Sequence, residues 1–500
     1  MANELNSRLN IPAEEIKRMG SAAVRVIAEY YDSLPSRRVF PETSAREIAE
    51  RLDATLPEEG EDFDGLLSIF RDVIIEMSRH NGHPRFFGYV ASPGTAATAI
   101  ADLLASALNS SATSWRSAPA ATQVERLTID WIKQIIGYDS RAEGLFVSGG
   151  SMANLSALAV ARRAKAPADV STCGAQAIDR AMRIYMSEES HYSITKAAAL
   201  LGIGTSNVRL VKIDSRLRID IADLSRKIKE DLAAGHLPFC VVANAGTVGA
   251  GAFDPLGAVA DAARAHNLWM HVDASYGGFA ALAPSAKPFF ERIAEADSVA
   301  LDPHKWLYIP VDCGCVLYRD AAMARATFSQ DAEYTRVMLQ EEDEKFAFWD
   351  YGPELSRRFR ALKVWMMLRH AGTQALGEAI ERNIQCAKYF ERLVSTSKDF
   401  EMLAPVELSI FCFRYVPPDL KKELESASGE RREEINKQLD ALNERIMISL
   451  QRDGRSYVSN TRVGGRFALR GCVINYRTTE RDMEILLDDT RRIAERIAAE

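Results

Sequence analysis

Four segments of this 500-residue chain bring a reactive side chain to the end of a short apolar run. Ser298-Val299-Ala300-Leu301-Asp302-Pro303-His304-Lys305-Trp306 runs straight into a lysine. Flanked by His304 and Trp306, Lys305 is unlike a solvated surface charge. A lysine drawn out of water becomes a usable amine, which is what a Schiff base with a carbonyl cofactor requires. Leu268 to Val272 delivers Asp273 into the small-residue turn Ala274-Ser275-Tyr276-Gly277-Gly278. Such an aspartate caps a helix, binds a metal, or holds the proton on a pyridine nitrogen so that the ring works as an electron sink. Leu145-Phe146-Val147-Ser148-Gly149-Gly150-Ser151 is a strand, a glycine turn and a helix start, whose free amides favour a phosphate. It lacks the Gly-Lys-Ser/Thr of a P-loop and the third glycine of the dinucleotide fingerprint. His191 closes Ser187-Glu188-Glu189-Ser190-His191, after another apolar run. It is either a satisfied surface histidine or a ring that stacks on a planar cofactor.

The elements that must position these groups follow from periodicity. From residue 144 short β-branched runs alternate with helical segments, ending at Val147, Met186, Val211, Val242, Val272, Leu301 and Tyr318. That alternation predicts a mainly parallel sheet covered on both faces, with ligands at the carboxyl ends of its strands. Residues 12 to 80 read as helices, with Leu66, Phe70, Val73, Ile74 and Met77 at helical spacing. Helical patterns return from about Thr95 to Ile136 and from about Arg357 to Leu393. Leu408 to Phe413 and Gly471 to Asn475 look like strands of a smaller C-terminal unit. The charged run Lys421 to Arg445 reads as a solvated helix face.

Composition excludes several classes. A net charge of -7 with no basic tail leaves no electrostatic footprint for nucleic acid or anionic membrane. No stretch reaches the roughly 18 uninterrupted apolar residues of a membrane span, and Met1 to Ile11 has no signal-peptide core. A cytoplasmic chain is expected. Seven scattered cysteines argue for a reducing compartment. Cys313 and Cys315, one residue apart, read as small buried strand residues or as a metal pair; no metal site is expected.

The order Gly-Gly-Ser, His, Asp, His-Lys is more specific than any of its elements. With it the chain resembles the group II decarboxylases dependent on pyridoxal 5'-phosphate (PLP), the aromatic-L-amino-acid decarboxylase family. The resemblance runs from His83-Pro84-Arg85-Phe86-Phe87-Gly88-Tyr89 through Asn244-Ala245-Gly246-Thr247, His271-Val272-Asp273-Ala274 and Asp302 to Trp306, into Arg357-Arg358-Phe359 and Asn475-Tyr476-Arg477-Thr478-Thr479. It implies an α/β chain of fold type I, like aspartate aminotransferase, with a mainly parallel seven-stranded sheet. It also implies a helical dimerisation segment over 1–85, a large PLP-binding domain over 86–380 and a small α+β domain over 381–500.

By the same resemblance Lys305 matches the lysine that carries PLP, Asp273 the partner of the pyridine nitrogen, and His191 the ring-stacking histidine. Gly150, Ser151 and His304 match positions that hold the phosphate, with Asp302 nearby, and Ser275 and Thr247 complete the cofactor set. Val248 stands where many relatives have a second threonine, so a hydroxyl contact there is lost or taken by Thr247. Tyr334 matches the loop tyrosine that helps protonate Cα after carbon dioxide leaves. Relatives that make aldehydes oxidatively carry phenylalanine there, so Tyr334 favours simple decarboxylation.

For the substrate, Tyr89 keeps an aromatic ring, Ser92 lies near the carboxylate in relatives, and Thr113 replaces a phenylalanine, which gives a roomier pocket. Ser356 stands where plant relatives on phenolic substrates carry serine, and this points the other way. The expectation is therefore an aromatic L-amino acid: tryptophan, tyrosine, dihydroxyphenylalanine or phenylalanine. The alternatives are an acidic amino acid or histidine, an oxidative aldehyde synthase, and a PLP-binding protein without catalysis. An acidic substrate needs a cation, for which Arg85 and Arg116 are the expected places. A homodimer with shared active sites is implied.

Overall fold

The computed structural model describes residues 9–330 and 342–499. Seven strands form the central sheet: β1 (Glu143–Val147), β2 (Met182–Ser187), β3 (Val208–Val211), β4 (Leu237–Asn244), β5 (Trp269–Ala274), β6 (Ser298–Leu301) and β7 (Gly314–Tyr318). Their order is β1-β7-β6-β5-β4-β2-β3, and only β7 runs against its neighbours. Each of the seven runs read as a strand between residues 144 and 318 is one.

Alternate residues of the same strands enter two different cores. Leu145, Val147, Ile184, Met186 and Val242 pack with Ala153, Ala157 and Ala161 of the helix Gly150–Lys165 on one face. Phe146, Tyr185, Val241, Met270 and Val272 pack on the other. A strand whose two faces are both covered has no polar side, which is why these runs are continuously apolar.

The register then sets the chemistry. Asn244 pairs with Asp273 across β4 and β5, and Asp273 with Ala300 across β5 and β6. The segments holding Gly149, His191, Asp273 and Lys305 therefore all leave the sheet at its carboxyl edge.

A second, antiparallel sheet is built from β8 (Phe400–Met402), β9 (Ile410–Tyr415), β10 (Ser459–Val463) and β11 (Arg466–Cys472), in the order β10-β11-β9-β8. The helices Gly429–Asp453 and Glu480–Ala499 pack on it. The last strand lies earlier than the Gly471–Asn475 run read from sequence. Its partner β10 is a polar strand, joined through Gly464 and Gly465, both at positive φ, a two-residue turn of the kind glycine allows. The charged run from Lys421 is two helices, Pro418–Ser426 and Gly429–Asp453, and the second buries Ile435, Leu439, Ile446 and Leu450.

The long helix Ala361–Thr396 kinks at Gly372, whose φ is +73°. Ahead of the sheet, the helices Ala13–Ser33, Ala45–Leu52 and Phe63–Ile69 bury none of their residues against the rest of the chain. Among the described residues, no helix is long and apolar enough to cross a membrane. No cluster of metal-ligating side chains forms among them either; Cys315 is a buried residue of β7, and Cys313 is buried just ahead of that strand.

Candidate active site

A cavity of about 790 Å³ opens at the carboxyl edge of the central sheet, closed on one side by β10 and β11. It is lined by Gly149, Gly150, Ser151, His191, Asp273, Ser275, Asp302, His304 and Lys305. A larger cleft, of about 1390 Å³, lies between Trp131, Leu282, Phe290 and Leu368 and holds none of these groups. The chemistry marks the smaller one.

Asp273 is 7% exposed and has its carboxylate held by the Ser275 backbone N–H at 3.1 Å and by Asn154 Nδ2 at 2.9 Å. Burial alone pushes its pKa up. The hydrogen bonds and the positive field of Lys305 outweigh that and hold the carboxyl below the usual range, so it is ionised. Such a carboxylate can keep a neighbouring ring nitrogen protonated.

Lys305 sits in the single turn Pro303–Trp306 that follows β6, with Nζ 2.9 Å from Asp302 Oδ2. His304 Nε2 lies 3.7 Å from the same oxygen, and its Nδ1 accepts the Cys313 N–H at 3.2 Å. Burial lowers the His304 pKa, which favours the neutral ring. Asp302 thus faces the lysine rather than an anion. His191 stands at the far wall, with Nδ1 against Ser193 Oγ at 2.8 Å, and burial lowers its pKa as well.

The glycine turn forms a cradle. The helix Gly150–Lys165 starts at Gly149 without a side-chain cap, so its first amides are available to an anion. A Cβ on Gly150 would come within 2.5 Å of Ser275 Oγ and 2.9 Å of Asp302 Oδ2. A Cβ on Gly314 would strike the Gly149 backbone at 2.5 Å. Ser275 Oγ is buried and has no hydrogen-bond partner in the described structure. Orphaned hydroxyl, open amides and a neighbouring histidine fit a phosphate, and Lys305 and Asp273 fit the carbonyl and the ring nitrogen of PLP.

Other expected residues fall elsewhere. Tyr89 lines the cavity, half exposed, with its hydroxyl 3.4 Å from that of Tyr457. Ser92 and Thr113 do not line it: Ser92 Oγ accepts the Gly94 N–H, and buried Thr113 bonds Ser117. Thr247 turns inward, where its Oγ1 accepts the Ala252 N–H at 3.1 Å, and Gly246, Val248 and Gly249 line the wall instead. Tyr334 lies outside the described residues. Neither Arg85 nor Arg116 reaches the cavity; Arg85 is engaged by the Arg455 carbonyl and Asp482.

Besides Lys305, the cation at the wall is Arg470 of β11. It is 3% exposed, donates to the carbonyls of Tyr89 and Gly249, and keeps Nη2 without a partner in the described structure. Sequence reasoning missed it because a lone arginine inside a β-run gives no local sign of the distant wall it completes. Asn154, Ser193 and His271 were missed too, although His271 and Asp273 share a strand face by their spacing of two.

A family model described as "Pyridoxal-dependent decarboxylase conserved domain" matches residues 45–416. The chain is 36% identical over 494 residues to an aromatic-L-amino-acid decarboxylase of Bacillus atrophaeus, covering 99% of this chain and 98% of that protein. It is 31% identical over 474 residues to tryptophan decarboxylase 1 of Oryza sativa subsp. japonica, covering 92% and 90%. The crystal structure of Oryza sativa TDC with PLP and tryptamine superposes with a TM-score of 0.88 at 28% identity, covering 97% of this chain and 99% of that one.

Proposed function

The chain belongs to the pyridoxal-dependent decarboxylase family, and from that premise we propose that it converts an aromatic L-amino acid to its amine and carbon dioxide. The observation that carries this reading is the convergence of Lys305, ionised Asp273 and His191 on one cavity, beside a glycine cradle that suits a phosphate. The full-length similarity to an aromatic-L-amino-acid decarboxylase supports the substrate class.

Bound PLP supplies an electron sink for the pair left at Cα when the carboxylate departs as carbon dioxide. The chain's own groups do the rest. Lys305 Nζ is the amine that would hold the cofactor through its carbonyl carbon. Asp273 keeps a proton on the ring nitrogen, and the donors from Ser275 and Asn154 keep Asp273 itself ionised. The amides of Gly150 and Ser151, with Ser275 Oγ and His304, hold the phosphate. His191, on the cavity wall, would lie against the ring. Tyr334 delivers the proton that replaces the carboxylate at Cα. Tyr89 lies at the substrate end, against Tyr457 and Arg79, whose guanidinium stands 5.0 Å from the Tyr89 ring centroid.

The working molecule is a homodimer in this reading. The helix Ala96–Leu108 exposes Ile100, Leu103, Leu104 and Leu108, and the N-terminal helices expose Leu66, Ile69, Phe70 and Ile74. Apolar surface of that extent calls for a partner, and a second copy offers the same face. With Ser92 and Thr113 placed off the cavity of a single chain, the substrate end is completed by the partner. Seven free cysteines, six of them buried, suit the reducing cytoplasm.

Arg470 favours a second reading, an acidic substrate whose side-chain carboxylate pairs with the guanidinium at the cavity wall. A panel of L-amino acids given to the PLP-loaded protein separates the two. Amine and carbon dioxide in equal amounts from tryptophan, tyrosine or dihydroxyphenylalanine, without peroxide, is the expected result. Turnover of glutamate or aspartate alone would replace the first reading by the second. Peroxide with aldehyde would move the enzyme to oxidative chemistry.

A further inference from the structure

Behind the cavity floor, β5 and the helix Gly150–Lys165 share a buried polar network branching at Asn154, which is 1% exposed. The groups at its ends set the polarity of its links. The Trp269 indole only donates, and it gives Nε1–H to Ser298 Oγ at 2.9 Å. The ionised Asp273 carboxylate only accepts, and it takes Asn154 Nδ2–H at 2.9 Å. That fixes the amide, because turning Asn154 over would set its oxygen against the carboxylate.

The second Nδ2 proton goes to Ser193 Oγ at 2.9 Å. Asn154 Oδ1 then faces His271 Nε2 at 2.9 Å and needs an N–H from it. Fully buried His271, with its pKa pushed down to about 4 by burial, is neutral and has one ring proton to give. That proton is on Nε2, and Nδ1 accepts the Ser298 hydroxyl at 2.9 Å. On the other branch, the Ser193 backbone N–H makes His191 Nδ1 an acceptor, so Ser193 Oγ, which accepts from Asn154, gives that nitrogen its own proton at 2.8 Å. The Ser193 backbone N–H points to the same ring nitrogen at 3.2 Å.

We propose that Ser193, with its hydroxyl oriented by Asn154, is a positioning residue whose backbone N–H and hydroxyl together hold His191 in the tautomer with its proton on Nε2. The imidazole then offers a donor, not a lone pair, at the ring atom opposite the network. Under the function proposed above, on which this role rests although the network does not, that donor meets an anionic substrate carboxylate with attraction. The other tautomer would set a lone pair against it.

Nitrogen-15 histidine spectra of the PLP-loaded protein test this, with the two rings assigned from His191→Gln and His271→Gln. The expected spectrum shows both rings protonated on Nε2 and bare on Nδ1. In Ser193→Ala the Nδ1 resonance of His191 shifts as it loses the hydroxyl donor, the backbone N–H still keeping that nitrogen bare, while His271 stays; in Asn154→Leu both rings move. A wild-type His191 protonated on Nδ1 would overturn the proposal, and so would an unchanged His191 in the Ser193 variant, which keeps the amide and its Asp273 bond. The resonances are read without turnover. A chain with the expected tautomers that releases no carbon dioxide therefore upholds this inference and overturns the proposed function alone.

Discussion

A carboxylate carried out of water costs several kcal/mol unless donors and opposite charge replace its hydration. At Asp273 the donors are the Ser275 N–H and the Asn154 amide, and the opposite charge is Lys305. Asp273→Asn keeps the shape and removes the charge, so the ring nitrogen loses the partner that keeps it protonated. Turnover should fall by about 10²–10³-fold, the cost of deleting one preorganised electrostatic partner, while Lys305 still takes up the cofactor. Steady-state rates alongside the cofactor's visible absorbance check both halves. At this scale the groups that end an apolar run were legible, because Lys305, Asp273 and His191 each stand where a buried strand meets a turn. Asn154 and Arg470 were not, because Asn154 meets Asp273 119 residues along the chain and Arg470 meets Tyr89 381 residues away.

Between elements, one buried ion pair ties the sheet to the loop before the long helix. Arg357 and Glu125, whose side chains are both fully buried, pair directly; Arg357 also donates to the carbonyls of Phe146 and Ala112 and lies over the Phe348 ring at 4.4 Å. Glu125 in turn accepts the Phe146 N–H of β1 at 2.9 Å. Removing one member leaves the other charged and alone, so Glu125→Ala should destabilise the fold by about 3–5 kcal/mol. A drop in the melting temperature of the holoenzyme is the measurement, and an unchanged Tm would contradict the account. The parallel strands were legible because burial on both faces makes them continuously apolar. The β10–β11 hairpin escaped because Ser459-Asn460-Thr461-Arg462 is a polar strand whose sign was the Gly464-Gly465 turn rather than its hydrophobicity. The kink at Gly372 escaped because a lone glycine in a helical pattern leaves the period intact.

For the whole molecule, stability should depend on pH through its buried histidines. In the unfolded chain a histidine titrates near 6.5. In the fold, burial pushes His83 down to about 3 and His271 down to about 4. Between those limits the unfolded chain binds protons that the folded chain refuses, so stability present above pH 6.5 is lost as the pH falls towards 4. The shift at His271 alone corresponds to about 3 kcal/mol. Melting temperatures measured from pH 7 to pH 4.5 should decline steadily, and a flat profile would show that these rings take up protons without unfolding. The fold class was legible at this scale, since alternating strands and helices admit few architectures. The exposed apolar faces of the N-terminal helices were legible only as helical stripes, because a sequence does not show which stripe its own chain leaves uncovered.

The most direct test of the central claim is the fate of Cα when the PLP-loaded protein turns over an aromatic L-amino acid in deuterated water. Replacing a carboxylate by one solvent proton predicts an amine carrying a single deuterium at that carbon, formed in equal amount with carbon dioxide and without peroxide. An aldehyde with ammonia and peroxide, or no carbon dioxide at all, would contradict it.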